Sequence, residues 1–198
     1  MQTTRLLTSL LLVLGAAGAM AQSTGTGTVQ RDVNQQNRIE QGLQNGSLTT
    51  REAGKLEREE SNIERQQARD LRDGKLTPRE RAQLRREQDR ASQDIRRDEA
   101  NAATGNPQSA SSQRMQADVQ RNANQQGRIE QGLQSGQLTA REAGRLERGQ
   151  ARVDRTEARA AADGHVGARE QARVQRKENH QSEDIYRQKH DGQHQHKS

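Results

Sequence analysis

Four side chains near the end of the chain, His190, Asp191, His194 and His196, gather imidazole nitrogens and a carboxylate in one short polar segment. Imidazole nitrogen suits copper, nickel and zinc, so this segment is the first candidate metal site. Its affinity is expected to fall as pH drops through about 6.5, where histidine takes up a proton. A second candidate pair, Asp73 and Glu80, flanks the turn at Gly74 and offers hard oxygen donors, the kind that calcium takes. Apart from such a divalent metal, no cofactor is implied. The chain has no Cys, which excludes thiol nucleophiles, thiolate metal ligands and disulfides. Its Ser residues lie mostly in linker-like segments with no recognisable His partner, and the glycine patterns of phosphate and dinucleotide loops are absent. The expectation is a protein that is not an enzyme.

These residues sit in or beside turns that must be held by helices. Gly46-Ser47-Leu48-Thr49-Thr50-Arg51-Glu52, Gly74-Lys75-Leu76-Thr77-Pro78-Arg79-Glu80 and Gly136-Gln137-Leu138-Thr139-Ala140-Arg141-Glu142 share one design, and Gly164-His165-Val166-Gly167-Ala168-Arg169-Glu170 is a decayed member. Thr49, Thr77 and Thr139 fit N-caps. Glu52, Glu80 and Glu142, three residues on, complete capping boxes. Pro78 fits the first helical position. Each leading Gly fits a left-handed helix end. The pattern predicts helices at about 30–44, 49–72, 77–100, 120–134, 139–162 and 167–190, with ends uncertain by a few residues.

The segment Asp73-Gly74-Lys75-Leu76-Thr77-Pro78-Arg79-Glu80 resembles the second half of an EF-hand calcium loop. That resemblance implies Gly74 as the turn, Asp73 as a ligand, Leu76 as the residue pairing with a partner loop and Glu80 as the closing ligand. The first half departs from the pattern. Arg69 and Leu71 stand where the first ligands belong, and Arg159 and Ala161 stand there in the matching later loop. A fixed cation at that position opposes calcium, so millimolar calcium is expected to change neither helicity nor melting temperature. The Leu-Thr-x-x-Glu starts also resemble the Leu-Thr-x-x-Gln motif of small helical periplasmic stress proteins and chaperones, with Glu52, Glu80 and Glu142 in place of the family's Gln. That resemblance implies a role in envelope stress.

The strongest organisational signal is a repeat. Arg31 to Ala100 aligns without a gap on Arg121 to His190, at a spacing of about 90 residues and about half identical. The expected fold is all-α, two tandem copies of a polar helical hairpin or three-helix unit joined by a flexible linker. The division is a signal peptide at 1–21, a flexible tail at 22–29, repeat one at 30–100, a linker at 101–118, repeat two at 119–190 and a His-rich tail at 191–198. Apolar residues such as Leu56, Ile63 and Leu71 recur at near-heptad spacing and predict a narrow seam. Caps and seam both lie within one copy, so the first copy is expected to be helical when expressed alone, though marginal.

Composition bounds the rest. Hydrophobic residues make up 27% and charged residues 30%, with one Tyr and no Phe or Trp. Interleaved charge of this kind reads as solvated helix faces. The net charge is +6. It falls by one when Arg5 leaves with the leader. Arg5, the apolar run Leu6 to Leu14 and Ala19-Met20-Ala21 form the three parts of a secretory signal, with cleavage expected before Gln22 and no transmembrane segment thereafter. The functional expectation is a periplasmic or secreted helical binding protein whose partner is another protein or an anionic polymer, with homo-oligomerisation a further expectation. Without aromatic residues to stack on bases, nucleic acid is not the expected partner. The alternative is metal binding by the His cluster or the loop carboxylates, for copper, nickel or zinc ahead of calcium.

Overall fold

A computed structural model describes residues 25–192. Leader residues 1–21, His194 and His196 therefore lie outside the described residues. Six α-helices follow one another: α1 (Thr26–Asn45), α2 (Thr50–Asp70), α3 (Pro78–Glu99), α4 (Ala110–Ser135), α5 (Ala140–Ala160) and α6 (Ala168–Lys189), with one 3-10 turn at Leu71–Asp73. Among the described residues there is no strand, and no helix is long and apolar enough to cross a membrane.

The caps fall where the sequence places them. Thr49, Thr77 and Thr139 accept from the backbone N–H of Glu52, Glu80 and Glu142, whose carboxylates accept in return from the backbone N–H of each Thr. Gly46 and Gly136 close α1 and α4 with φ of 80° and 77°, a conformation that costs other residues more. Two helix starts differ from expectation. Helix α1 begins at Thr26, inside the segment expected to be a flexible tail. Helix α4 begins at Ala110, inside the expected linker, because the Ser109 side chain accepts from Ser112 N–H and caps it there. The rest of that linker is packed down. Gly105 N–H donates to Gly46 O at 2.8 Å, and the Asn101 amide donates to Glu52 at 2.7 Å.

Helices α1 and α2 form an antiparallel pair, and α3 returns alongside α1 in the same direction. Arg31 pairs with Asp89 at 2.5 Å, Gln35 donates to Gln88 O at 2.7 Å and Arg38 pairs with Glu99 at 2.6 Å. Helices α4 and α6 repeat the arrangement through Arg121 to Glu178 at 3.3 Å and Gln125 to Glu178 O at 2.8 Å. The two sets then face each other. Helix α2 lies antiparallel against α5, with Gly54 over Ala161, the Ser61 hydroxyl donating to Ala151 O at 2.8 Å and Gly144 against Leu71. At the two ends the contacts are reciprocal: Arg51 donates to Asp163 O at 2.7 Å and Arg141 to Asp73 O at 3.3 Å.

Apolar side chains collect in two clusters, one near each end of the bundle. One joins Ile39, Leu43, Leu48, Leu56 and Ile95 to Met115, Val119, Val166 and Val174. The other joins Ile129, Leu133, Leu138, Leu146 and Ile185 to Val29, Leu71, Leu76 and Leu84. Each cluster therefore draws on both halves of the chain. This corrects the expectation of a seam closed within one copy: Leu56 and Leu71 lie in different clusters, each completed by the opposite half.

Glycine makes the close α2–α5 approach. A Cβ on Gly54 would lie 2.6 Å from the Ala161 Cβ. Helix propensity alone favours Ala over Gly by about 1 kcal/mol. Overpacking against a methyl with no rotamer to change costs about 1–3 kcal/mol, so the clash wins. Gly54→Ala is expected to lower the melting temperature, and thermal unfolding followed by circular dichroism checks the sign.

Candidate metal centre

Between the two apolar clusters the interior is polar and acidic. Helix α2 carries Glu57, Glu60, Glu64 and Gln67, spaced three, four and three residues apart, which places them on one face. Helix α5 presents Glu147, Gln150, Asp154 and Glu157 at the same spacing. Asp32 and Gln36 on α1, Asp118, Asn122 and Gln126 on α4, and Glu178 on α6 join them. All of these side chains are at most 2% exposed. No Lys or Arg is among the buried side chains of the described residues. Arg121 reaches Glu178 from a position 38% exposed.

Carboxamides supply most of the hydrogen bonds. Gln36 donates to Glu57 Oε2 at 3.1 Å, Asn122 to Glu157 Oε2 at 2.8 Å and Gln150 to Asp154 Oδ1 at 3.1 Å. Gln126 donates to both Glu64 and Glu147, at 2.5 and 3.2 Å. Gln67 and Gln88 donate to the two oxygens of Asp32, each at 2.6 Å. One oxygen of each of Glu57, Asp154 and Glu157 is thus held by an amide while the other is not. Glu57 Oε1, Asp154 Oδ2 and Glu157 Oε1 have no hydrogen-bond partner, and Glu60 has none at either oxygen. Every unpartnered buried side-chain polar atom among the described residues is an oxygen. Buried polar groups are normally satisfied, so this one-sided surplus of acceptors calls for protons or cations.

Burial drives these carboxyls toward the neutral form. Desolvation raises Asp154 from 3.8 to about 7, against hydrogen bonds from Glu64 and Gln150 that lower it. Desolvation likewise lifts Asp32 to about 7, with Gln88 and Gln67 opposing, and Asp118 to about 7, with Gln171 opposing. Glu178 rises to about 8 through burial and the neighbouring Asp118. Glu57, Glu60, Glu64, Glu147 and Glu157 are raised well above 4.5, by burial first and then by neighbouring acids, chiefly Asp32 and Asp154.

Three of these acids converge. Glu57, Asp154 and Glu157 each offer an oxygen, and the three oxygens lie within 4.8 Å of one another. Hard cations bound at about 2.0–2.6 Å accept donors at such separations. The donor set is all oxygen, with neither imidazole nor thiolate, which suits magnesium, calcium and manganese and disfavours copper.

The residues singled out from the sequence have other occupations. Asp73 accepts from Lys75 N–H at 3.2 Å, and Glu80 accepts from Thr77 N–H at 2.7 Å, so both serve as local caps. His190 ends α6, with its ring stacked on Tyr186 and Nδ1 2.7 Å from Tyr186 O. Asp191, half-buried, follows it. The triad Glu57, Asp154 and Glu157 was not anticipated. Its signal was present as acids at three-and-four spacing beside Leu56 and Ile63, a face that a charge-rich helix is ordinarily expected to turn to solvent.

Comparison with known proteins adds no relative: no family model, no curated protein and no solved structure matches the chain.

Proposed function

We propose that this is an exported, non-catalytic helical protein that binds a hard divalent cation in its acidic interior. The observation that carries the reading is the convergence of Glu57, Asp154 and Glu157, fully buried, each with one oxygen held by a carboxamide and the other accepting from no N–H or hydroxyl. The fold supports it as two copies of one three-helix unit, interlocked about an approximate two-fold axis. Glu57 comes from one copy and Asp154 and Glu157 from the other, so the cation would tie the halves together. Manganese and calcium are the ions favoured by this donor set. A centre closed to solvent on every side points to storage or structural binding rather than turnover.

Titration calorimetry with Mn2+ at pH 7.5, after removal of bound ions with a chelator, tests this. Micromolar or tighter binding with proton release is the expected result, because the acids must ionise to ligate. Glu57→Gln should weaken the affinity at least tenfold while the protein stays folded, since the amide keeps the volume and removes a buried charge. Absence of any Mn2+ or Ca2+ isotherm would refute the reading.

A surface feature supports the partner expectation alongside this one. Arg65, Arg69, Arg72 and Arg148 line one open cleft beside Ala68. None of them is in an ion pair among those formed by the described residues. Clustered, unpaired arginine favours an anionic partner.

A further inference from the structure

The repeat places a second constellation opposite the first. The counterparts of Glu57, Asp154 and Glu157 under the alignment are Glu147, Glu64 and Gln67, and the counterpart of Asn122 is Asp32. Both sets therefore hold three carboxylates and one carboxamide. What differs is the order within one pair. In the first set Asn122 donates to Glu157 at 2.8 Å; in the second Gln67 donates to Asp32 at 2.6 Å. Acid and amide have changed places, with charge and hydrogen bond kept.

The unpartnered atoms follow the same order. Glu147 Oε1, Glu64 Oε2 and Gln67 Oε1 accept from no N–H or hydroxyl, while the other side-chain terminus of each is engaged by Gln126 or Asp32. The three side chains are at most 1% exposed. Glu64 and Glu147 share the Gln126 amide as donor, which holds their carboxylates together. Glu60, unpartnered at both oxygens, lies within electrostatic reach of Asp32 of the second set and of Glu57 and Asp154 of the first. Glu64 and Asp154, themselves repeat counterparts, face each other closely enough to share a proton.

We propose that Glu64, Glu147 and the side-chain carbonyl oxygen of Gln67 form a second position for a hard divalent cation, so that the interior takes two ions side by side, one on each side of the approximate two-fold axis. The inference rests on the reading that the core binds cations at all. Asp32, held by Gln67 and Gln88, supplies further negative charge to the second ion, and Glu60 supplies it to both. The carboxamide ligand makes the second position the weaker of the two, because a neutral oxygen replaces a charged one at the same place.

The experiment is Mn2+ stoichiometry on the full chain at pH 7.5, by equilibrium dialysis with metal analysis, joined to electron paramagnetic resonance. Wild-type protein should take two Mn2+ per chain and show spin coupling between neighbouring ions. Glu147→Gln should take one and lose the coupling, and Glu157→Gln should also take one. Circular dichroism of each variant establishes that it is folded. Gln67→Glu, which replaces the one neutral ligand of the second position by a carboxylate, should tighten the weaker binding event at least tenfold. One Mn2+ per wild-type chain, unchanged by Glu147→Gln or Gln67→Glu, would overturn the second position and leave the first standing. No Mn2+ at all would remove both readings together.

Discussion

Stripped of divalent cations by a chelator, the protein should melt at a higher temperature at pH 5 than at pH 8, by on the order of 10 °C. Carboxyls paired with cations usually give the opposite slope. Here the folded-state values are raised, not lowered: about 7 for Asp32, Asp118 and Asp154 and about 8 for Glu178, against ordinary values of 3.8 and 4.5. A group raised on folding binds protons more tightly in the native state. Its contribution is complete below the unfolded value, near pH 4, and is lost as pH climbs through the folded value, near 7 to 8. Asp154 alone, moved from 3.8 to about 7, loses on the order of 3 kcal/mol between pH 5 and pH 8, and a kcal/mol shifts the melting temperature of a chain this size by about 2–4 °C. Neighbouring acids share this cost, so their contributions do not simply add. Millimolar Mn2+ at pH 8 should restore what deprotonation removes, because a ligand that binds only the native state stabilises it. Thermal melts between pH 5 and 8 in chelator check the slope. A melting temperature that rises steadily with pH in chelator would show that the buried acids are not desolvated as described.

Residues 26–100 expressed alone should be largely unfolded as a monomer at micromolar concentration. Leu43, Leu48 and Leu56 would lose Met115, Val119, Val166 and Val174, and Leu71 and Leu76 would lose Ile129, Leu133, Leu138, Leu146 and Ile185. Each such side chain returned to water forfeits about 1.5–3 kcal/mol, and several go at once. Helicity should rise with concentration, since the exposed face is complementary to a close copy of itself and can pair isologously. Circular dichroism and sedimentation over a hundredfold concentration range make the measurement. A monomer that is fully helical and melts cooperatively at every concentration would restore the modular reading of the sequence.

The helices were legible because their ends are written locally. Thr49, Thr77 and Thr139 with their glutamates, and the glycines before them, specify start and stop within a few residues, and Ser109 is the one cap that was passed over. The interior was illegible for a physical reason. Glu57, Glu60 and Glu64 look solvated in any reading that treats a helix alone. Their burial follows from what stands across from them, the Gly54 and Gly144 approach and the amides of Gln36, Gln126 and Asn122, which belong to other helices. Asp73, Glu80 and His190 drew attention through residue type, and the structure places them at a turn, a helix cap and a ring stack on the surface, away from the acidic interior. The repeat was plain in the sequence. That the acids of α2 and α5 meet follows from the antiparallel docking of these helices, which sequence periodicity does not contain.

That docking has a kinetic side. Turns and hairpins within each half form from neighbours in sequence, but the contact between Ser61 and Ala151 closes over 90 residues. Long-range closure is slow, and it comes after the local elements have formed. It is also the moment at which the acids leave water. The barrier to docking therefore carries the cost of discharging them, and the search for the native state runs at a speed set by whatever neutralises Glu57, Glu60, Glu64 and their partners as the halves meet. If the chain is exported, as proposed, the ions and acidity of the receiving compartment would then govern how long the two halves stay open to proteases.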